Sequence, residues 1–123
     1  MSKAKDSDGL EYLREIITKP NYAILALLRE KSPRTTKEIY RELADKFTRK
    51  TLIISLRKLT LELNVIQPTH IRTPTCYTLG YKINPEVVSM LNTLEDFSRK
   101  IKKISSSKDI SYNNENIAAL KDS

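Results

Sequence analysis

His70 is the only histidine and Cys76 the only cysteine in the 123 residues. Zinc needs about four ligands in a structural site and three in a catalytic one, which these residues cannot supply from one chain. Glu95 and Asp96 form a carboxylate pair, but adjacent residues of a helix do not face each other. No glycine-rich phosphate loop, nucleophile elbow or HExxH motif is present. The reading is therefore of a protein that is not an enzyme, with no cofactor and no metal. What these side chains can do is hold an anion. Arg49, Lys50 and Arg57 fall within nine residues, with Thr51 among them, Thr48 and Lys58 at either end, and His70 and Arg72 further on.

The charge is unevenly placed. The chain carries a formal +7, yet residues 32–82, with ten basic and four acidic side chains, hold +6 of it. Residues 1–31 carry +1, and residues 83–123 are neutral. Charge concentrated in one module favours a polyanionic partner over an evenly solvated surface. The six tyrosines are scattered, which favours packing over stacking on a single strand; Tyr40 is placed to reach a phosphate.

These cations need elements to position them. At this length one domain is expected, with 39% hydrophobic residues for a small core and only two Gly, too few for a barrel or sandwich. Residues 1–9 are charged and read as a flexible N-terminus. An amphipathic segment, 10–19, turns Leu10, Leu13, Ile16 and Ile17 to one face, and Pro20 starts a new helix. Residues 21–31 are apolar around most of their circumference and make a core helix, ended by Ser32-Pro33. Thr35 and Glu38 fit a capping box opening a helix over 36–47 with Ile39, Leu43 and Phe47. Thr48 can cap a fourth helix, 49–63, that buries Leu52, Leu56, Leu59 and Leu63, with Asn64 in the left-handed position that ends it.

The period then becomes strand-like. Val65 and Ile66 begin an extended stretch, Pro68 marks a sheet edge, and Cys76 to Leu79 form a second short strand. Thr69 to Pro74 reads as the hairpin tip, carrying Arg72 and His70. Asn84-Pro85 opens a long helix, 84–104, about 31 Å in length. The tail, 105–123, reads as disordered, with Asn116–Leu120 as an alternative turn of helix ordering on another protein.

Helix, short break, helix and hairpin is the order of a winged helix-turn-helix. In that arrangement 36–47 braces 49–63 so that its outer face can enter a major groove. The leucine stripe faces inward, leaving Arg49, Lys50, Ile54 and Arg57 outside. Arg and Lys in a first turn oppose the helix dipole, so their placement fits service to a ligand, with phosphates or guanine edges suited to them.

The run Thr51-Leu52-Ile53-Ile54-Ser55-Leu56-Arg57-Lys58-Leu59 resembles the recognition helix of PadR-like winged-helix regulators, whose pattern is of the Thr-Leu-Tyr-Pro-Ala-Leu-Arg-Arg-Leu type. Cys76-Tyr77-Thr78-Leu79-Gly80 is similar to the family's second wing strand, and Tyr22–Glu30 to its opening core helix. A C-terminal dimerisation helix also matches, so that the likeness covers roughly residues 20–104. Ile53-Ile54 stands where the family has Tyr-Pro. The usual Gly-Tyr in the preceding helix is absent, and the stretch from Leu59 to Asn64 is one residue longer than the usual approach to a turn glycine. The Ile- and Lys-rich character is similar to that of small winged-helix proteins of archaeal plasmids and viruses, including the PadR-like adaptor of an archaeal plasmid partition system.

A heptad seam closes the picture. Ile83, Val87, Met90, Leu94, Phe97, Ile101 and Ile104 recur at spacings of four and three, as at a helix–helix contact. The expected partner is the same helix of a second copy, with Leu13 and Ile17 adding to the interface. Antiparallel pairing separates Arg99, Lys100, Lys102 and Lys103 from their copies and brings Glu86 nearer to them; parallel pairing stays open.

The expected fold is mainly α with a small β-hairpin (α+β): a winged helix-turn-helix over 10–82 and a dimerisation helix over 83–104. The expected function is homodimeric, sequence-selective binding of double-stranded DNA in transcriptional regulation. The alternatives are a partition-site adaptor that spreads on DNA and a module for protein contacts. No apolar run approaches the roughly 20 residues of a membrane span, and the N-terminus lacks a signal region. With its lone cysteine, the chain is expected in the cytoplasm, at the nucleoid.

Overall fold

The computed structural model describes residues 2–107, with side chains from Gly9 onward. Most of the tail, including the Asn116–Leu120 segment, lies outside the described residues. The chain divides into two units, residues 1–87 and 88–123.

The first unit begins with α1, Ser2–Ile16, and α2, Lys19–Glu30. Helix α1 starts well before Leu10, within the segment expected to be flexible; Ala4 and the lysines on either side of it are good helix formers. Pro20 lies in the first turn of α2, where its missing N–H leaves no bond unmade. Asn21 is buried and donates through Nδ2 to the Glu15 carbonyl at 2.8 Å, pinning the α1–α2 junction. Ile24, Leu25 and Leu28 are fully buried, so α2 is the core helix its composition predicts.

Beyond it comes β1, Arg34–Thr35, for which the sequence carried no signal. It pairs with β3, so the sheet has three strands rather than the two of a simple hairpin. Arg34 donates through Nε to the Leu27 and Lys31 carbonyls, both at 3.1 Å, closing the carbonyl end of α2 with a cation.

The capping box forms as read: Glu38 N–H donates to Thr35 Oγ1 at 3.1 Å, and Thr35 N–H donates to Glu38 Oε1 at 3.4 Å. Helix α3 is shorter than 36–47, spanning Thr36–Leu43. The N–H groups of Lys46 and Phe47 both turn back to the Leu43 carbonyl, at 3.1 and 3.0 Å. This tight turn brings Phe47 to a groove of about 610 Å³ that it lines with Tyr22, Ala26 and Leu43.

Helix α4, Arg49–Arg57, is also shorter than its leucine spacing implies, because Lys58–Glu62 continues it as a π-helical turn. Leu63 N–H donates to the Lys58 carbonyl, five residues back, at 2.9 Å. A π turn holds one residue more than an α turn, which accommodates the extra residue between Leu59 and Asn64. Leu52, Leu56 and Leu59 are buried, while Leu63, past the widened turn, is half-buried. Asn64 takes φ 54°, the predicted left-handed position.

Strands β2, Ile66–Arg72, and β3, Tyr77–Ile83, pair antiparallel in full register from Ile66–Ile83 to Arg72–Tyr77. The order β1-β3-β2 leaves β2 at an edge, where Pro68 costs no sheet bond. The tip is narrower than Thr69–Pro74: the strands zip as far as Arg72 and Tyr77. Thr73 then closes the turn, its N–H and hydroxyl both donating to the Cys76 carbonyl at 2.7 Å. Ile83, expected to open the helical seam, is the last residue of β3. Gly80 meets β1 so closely that a Cβ there would stand 2.5 Å from the Arg34 carbonyl oxygen.

Helix α5, Pro85–Ser107, begins in the first unit and makes up the described part of the second. Asn84 caps it as predicted, its Oδ1 accepting from Glu86 N–H at 2.9 Å. The helix runs three residues past Ile104. Val87 is buried, Leu94 half-buried, and Met90, Phe97, Ile101 and Ile104 are exposed. Arg99 pairs with Asp96 on the same helix. None of the described helices is long and apolar enough to cross a membrane.

Candidate nucleic-acid interface

The α3–turn–α4 unit presents the predicted cations. Thr48 caps α4 by accepting from Thr51 N–H at 3.2 Å, and its own hydroxyl donates to Thr51 Oγ1 at 2.9 Å. Both hydroxyls are thus fixed at the start of the helix. Arg49 lies with its guanidinium carbon 4.8 Å from the centroid of the Tyr40 ring, a cation–π contact from α4 back to α3.

Opposite the buried Leu52, Ser55, Leu56 and Leu59 stand Lys50, Ile54 and Arg57, all exposed and spaced four and three residues apart. That spacing places them in one row along a helix. No carboxylate lies within ion-pair distance of Lys50 or Arg57 among the described residues. Lys58 differs: it is half-buried, and its Nζ pairs with Glu15 Oε2 at 3.4 Å. It sits at the flank of the row, where Thr51, Ile54 and Ser55 line a cleft of about 330 Å³ with Pro20 and Asn21.

On the hairpin, His70 and Arg72 lie in β2 rather than in the turn. They are two residues apart and so share a face; both are exposed. Their cross-strand partners are Leu79 and Tyr77, and the Arg72 guanidinium lies 6.0 Å from the Tyr77 ring centroid. The sequence had no signal that Tyr77 would support Arg72, since only the register places one opposite the other. The hairpin is tied to α3 by the Thr36 hydroxyl, which donates to the Leu79 carbonyl at 3.2 Å.

Two groups in this framework titrate away from their ordinary values. The Thr35 N–H holds the Glu38 carboxyl low; burial opposes this, while the Thr35 hydroxyl and the charges of Lys31 and Arg34 add to it. Burial raises the Tyr81 phenol, with Tyr40 contributing. Among the described residues, no three His, Cys, Asp or Glu side chains gather as a metal site.

The element order, the exposed row on α4 and the three-stranded wing can be set beside known proteins. The chain is similar to the X-ray structure of a PadR-like transcription factor from Bacteroides fragilis, with a TM-score of 0.56 and 18% identity over 86% of this chain and 96% of that one. The fold is a winged helix, shared with that structure. At that identity the likeness is one of fold. No protein-family model and no curated protein matches the chain. Within the winged helix, α3 and α4 are the helix-turn-helix pair, β2 and β3 the wing, and the short β1 the third strand that anchors the wing to the helices.

Proposed function

We propose that this chain is a homodimeric, sequence-selective binder of double-stranded DNA that acts as a transcriptional regulator. The observation that carries the reading is the row Lys50–Ile54–Arg57: two exposed cations with no carboxylate at ion-pair distance among the described residues, on the face of α4 turned away from the core. A helix fits the major groove, where cations can meet phosphates and guanine edges. Thr48, Arg49 and Thr51 would contact DNA from the start of α4, with Lys58 at its flank. His70 and Arg72 would reach the neighbouring backbone from the wing. The similar solved structure, described as a transcription factor, supports the regulatory role.

Dimerisation is assigned to the exposed stripe Met90, Phe97, Ile101 and Ile104 with Val87 and Leu94 in the same seam, and to the exposed Leu13 of α1 and Ile17 just after it. A two-fold dimer reads a palindrome with half-sites about one turn, roughly 34 Å, apart. Fluorescence anisotropy with a duplex selected from a random pool tests the function. Arg57→Ala is expected to weaken binding and to lower the slope of log affinity against log salt by about 1. Unchanged affinity and slope would remove α4 from the interface. Footprinting should show one short protected site; a ladder extending along the duplex would favour a spreading adaptor instead.

A further inference from the structure

Ile54 is 49% exposed and its neighbour Ile53 is 40% exposed. Neither belongs to the buried leucine face, and both stand among the cations of α4. Single apolar residues at a surface are common. Ile54, however, is the middle of the outward row, with Lys50 one turn before it and Arg57 one turn after it. A side chain held only for solubility there would be polar, and one held only for the core would face the other way.

In a major groove the one apolar group that a base edge presents is the C5-methyl of thymine. We infer that Ile54 is a specificity-determining residue that reads a thymine methyl in each half-site; this rests on the DNA-binding reading above. The helix rises about 1.5 Å per residue, so Lys50 to Arg57 covers roughly 10 Å. Bases on a strand are spaced about 3.4 Å apart, so the row spans about three base steps. The thymine therefore lies inside the short run bounded by the contacts of Lys50 and Arg57. Those contacts are guanine edges or phosphates, the acceptors both cations suit. Ile54 also lines the cleft beside Pro20 and Asn21, so one side of it is supported by protein while the other stays free for the base.

The test uses the full chain and a duplex selected from a random pool. Each thymine of the selected site is replaced in turn by deoxyuridine, which lacks only the methyl. One thymine in each half-site should weaken wild-type binding on replacement, by about fourfold, the worth of one buried methyl group. Ile54→Ala should bind the thymine and uracil duplexes equally, with an unchanged melting temperature as the check on folding. Ile54→Val, which keeps a branched apolar side chain, should retain most of the discrimination. If wild type binds its duplex tightly and no thymine matters, or if Ile54→Ala keeps the full loss on uracil, the inference falls while DNA binding stands. If no duplex is enriched at all, both fall together.

Discussion

Arg49 rests its guanidinium over the ring of Tyr40, 4.8 Å from the centroid. The contact joins the first residue of α4 to the brace helix and limits where that cation can point. Tyr40→Ala should lower DNA affinity about two- to fivefold, the range of an exposed cation–π contact of about 0.5–1 kcal/mol. Tyr40→Phe keeps the ring and should bind nearly as wild type. Equal losses in the two variants, measured by anisotropy, would mean that the phenol hydroxyl acts on DNA and that the ring does not hold Arg49.

The two glycines should respond in opposite directions. Gly80→Ala forces a methyl against the Arg34 carbonyl and the Ile71 side chain. It should cost about 1–3 kcal/mol, as overpacking does in a filled site. Nothing stands near a Cβ at Gly9 in α1, so Gly9→Ala should stabilise that helix by about 0.5–1 kcal/mol. Urea midpoints decide the matter, and a neutral Gly80→Ala would refute the close approach of β1 to β3.

Acid should loosen the helix-turn-helix through Glu38. Its carboxyl is held below the ordinary value of 4.5, mainly by the Thr35 N–H. A depressed carboxylate contributes stability above its unfolded pKa and loses it as pH falls through the folded one. Wild type should therefore lose stability below about pH 4.5, and Glu38→Gln should lose less over the same range while being weaker at neutral pH. Parallel curves of melting temperature against pH would show that the capping carboxylate is not the source.

Ile101 tests the seam. It is exposed on α5, so Ile101→Asp should leave the fold intact while placing a charge in the proposed dimer contact. Sedimentation at micromolar concentration should shift from dimer to monomer. Affinity for a palindromic duplex should fall at least about tenfold, because a second linked half-site then no longer contributes. A variant that still sediments as a dimer would move the interface elsewhere.

The amino-acid pattern determined a great deal of this protein. Local chemistry is written in short spacings: the Thr35–Glu38 capping box, the Thr48 cap, the left-handed Asn64 and the Asn84 cap all needed only neighbours a few residues apart. The apolar circumference of α2 and the stripe Leu52–Leu56–Leu59 named the core, and the complementary positions Lys50, Ile54 and Arg57 named the outer face of α4. Tertiary structure decided what depends on partners distant in sequence. Strand β1 exists because Arg34–Thr35 lies against Tyr81 and Gly80, and two residues carry no period of their own. The register of β2 on β3 moved His70 and Arg72 from a loop onto a paired strand and set Tyr77 opposite Arg72. The salt bridge to Glu15, 43 residues away, occupies Lys58, which spacing alone grouped with Lys50 and Arg57. Periodicity reports which face of an element is apolar; only packing reports which polar side chain on the other face already has a partner.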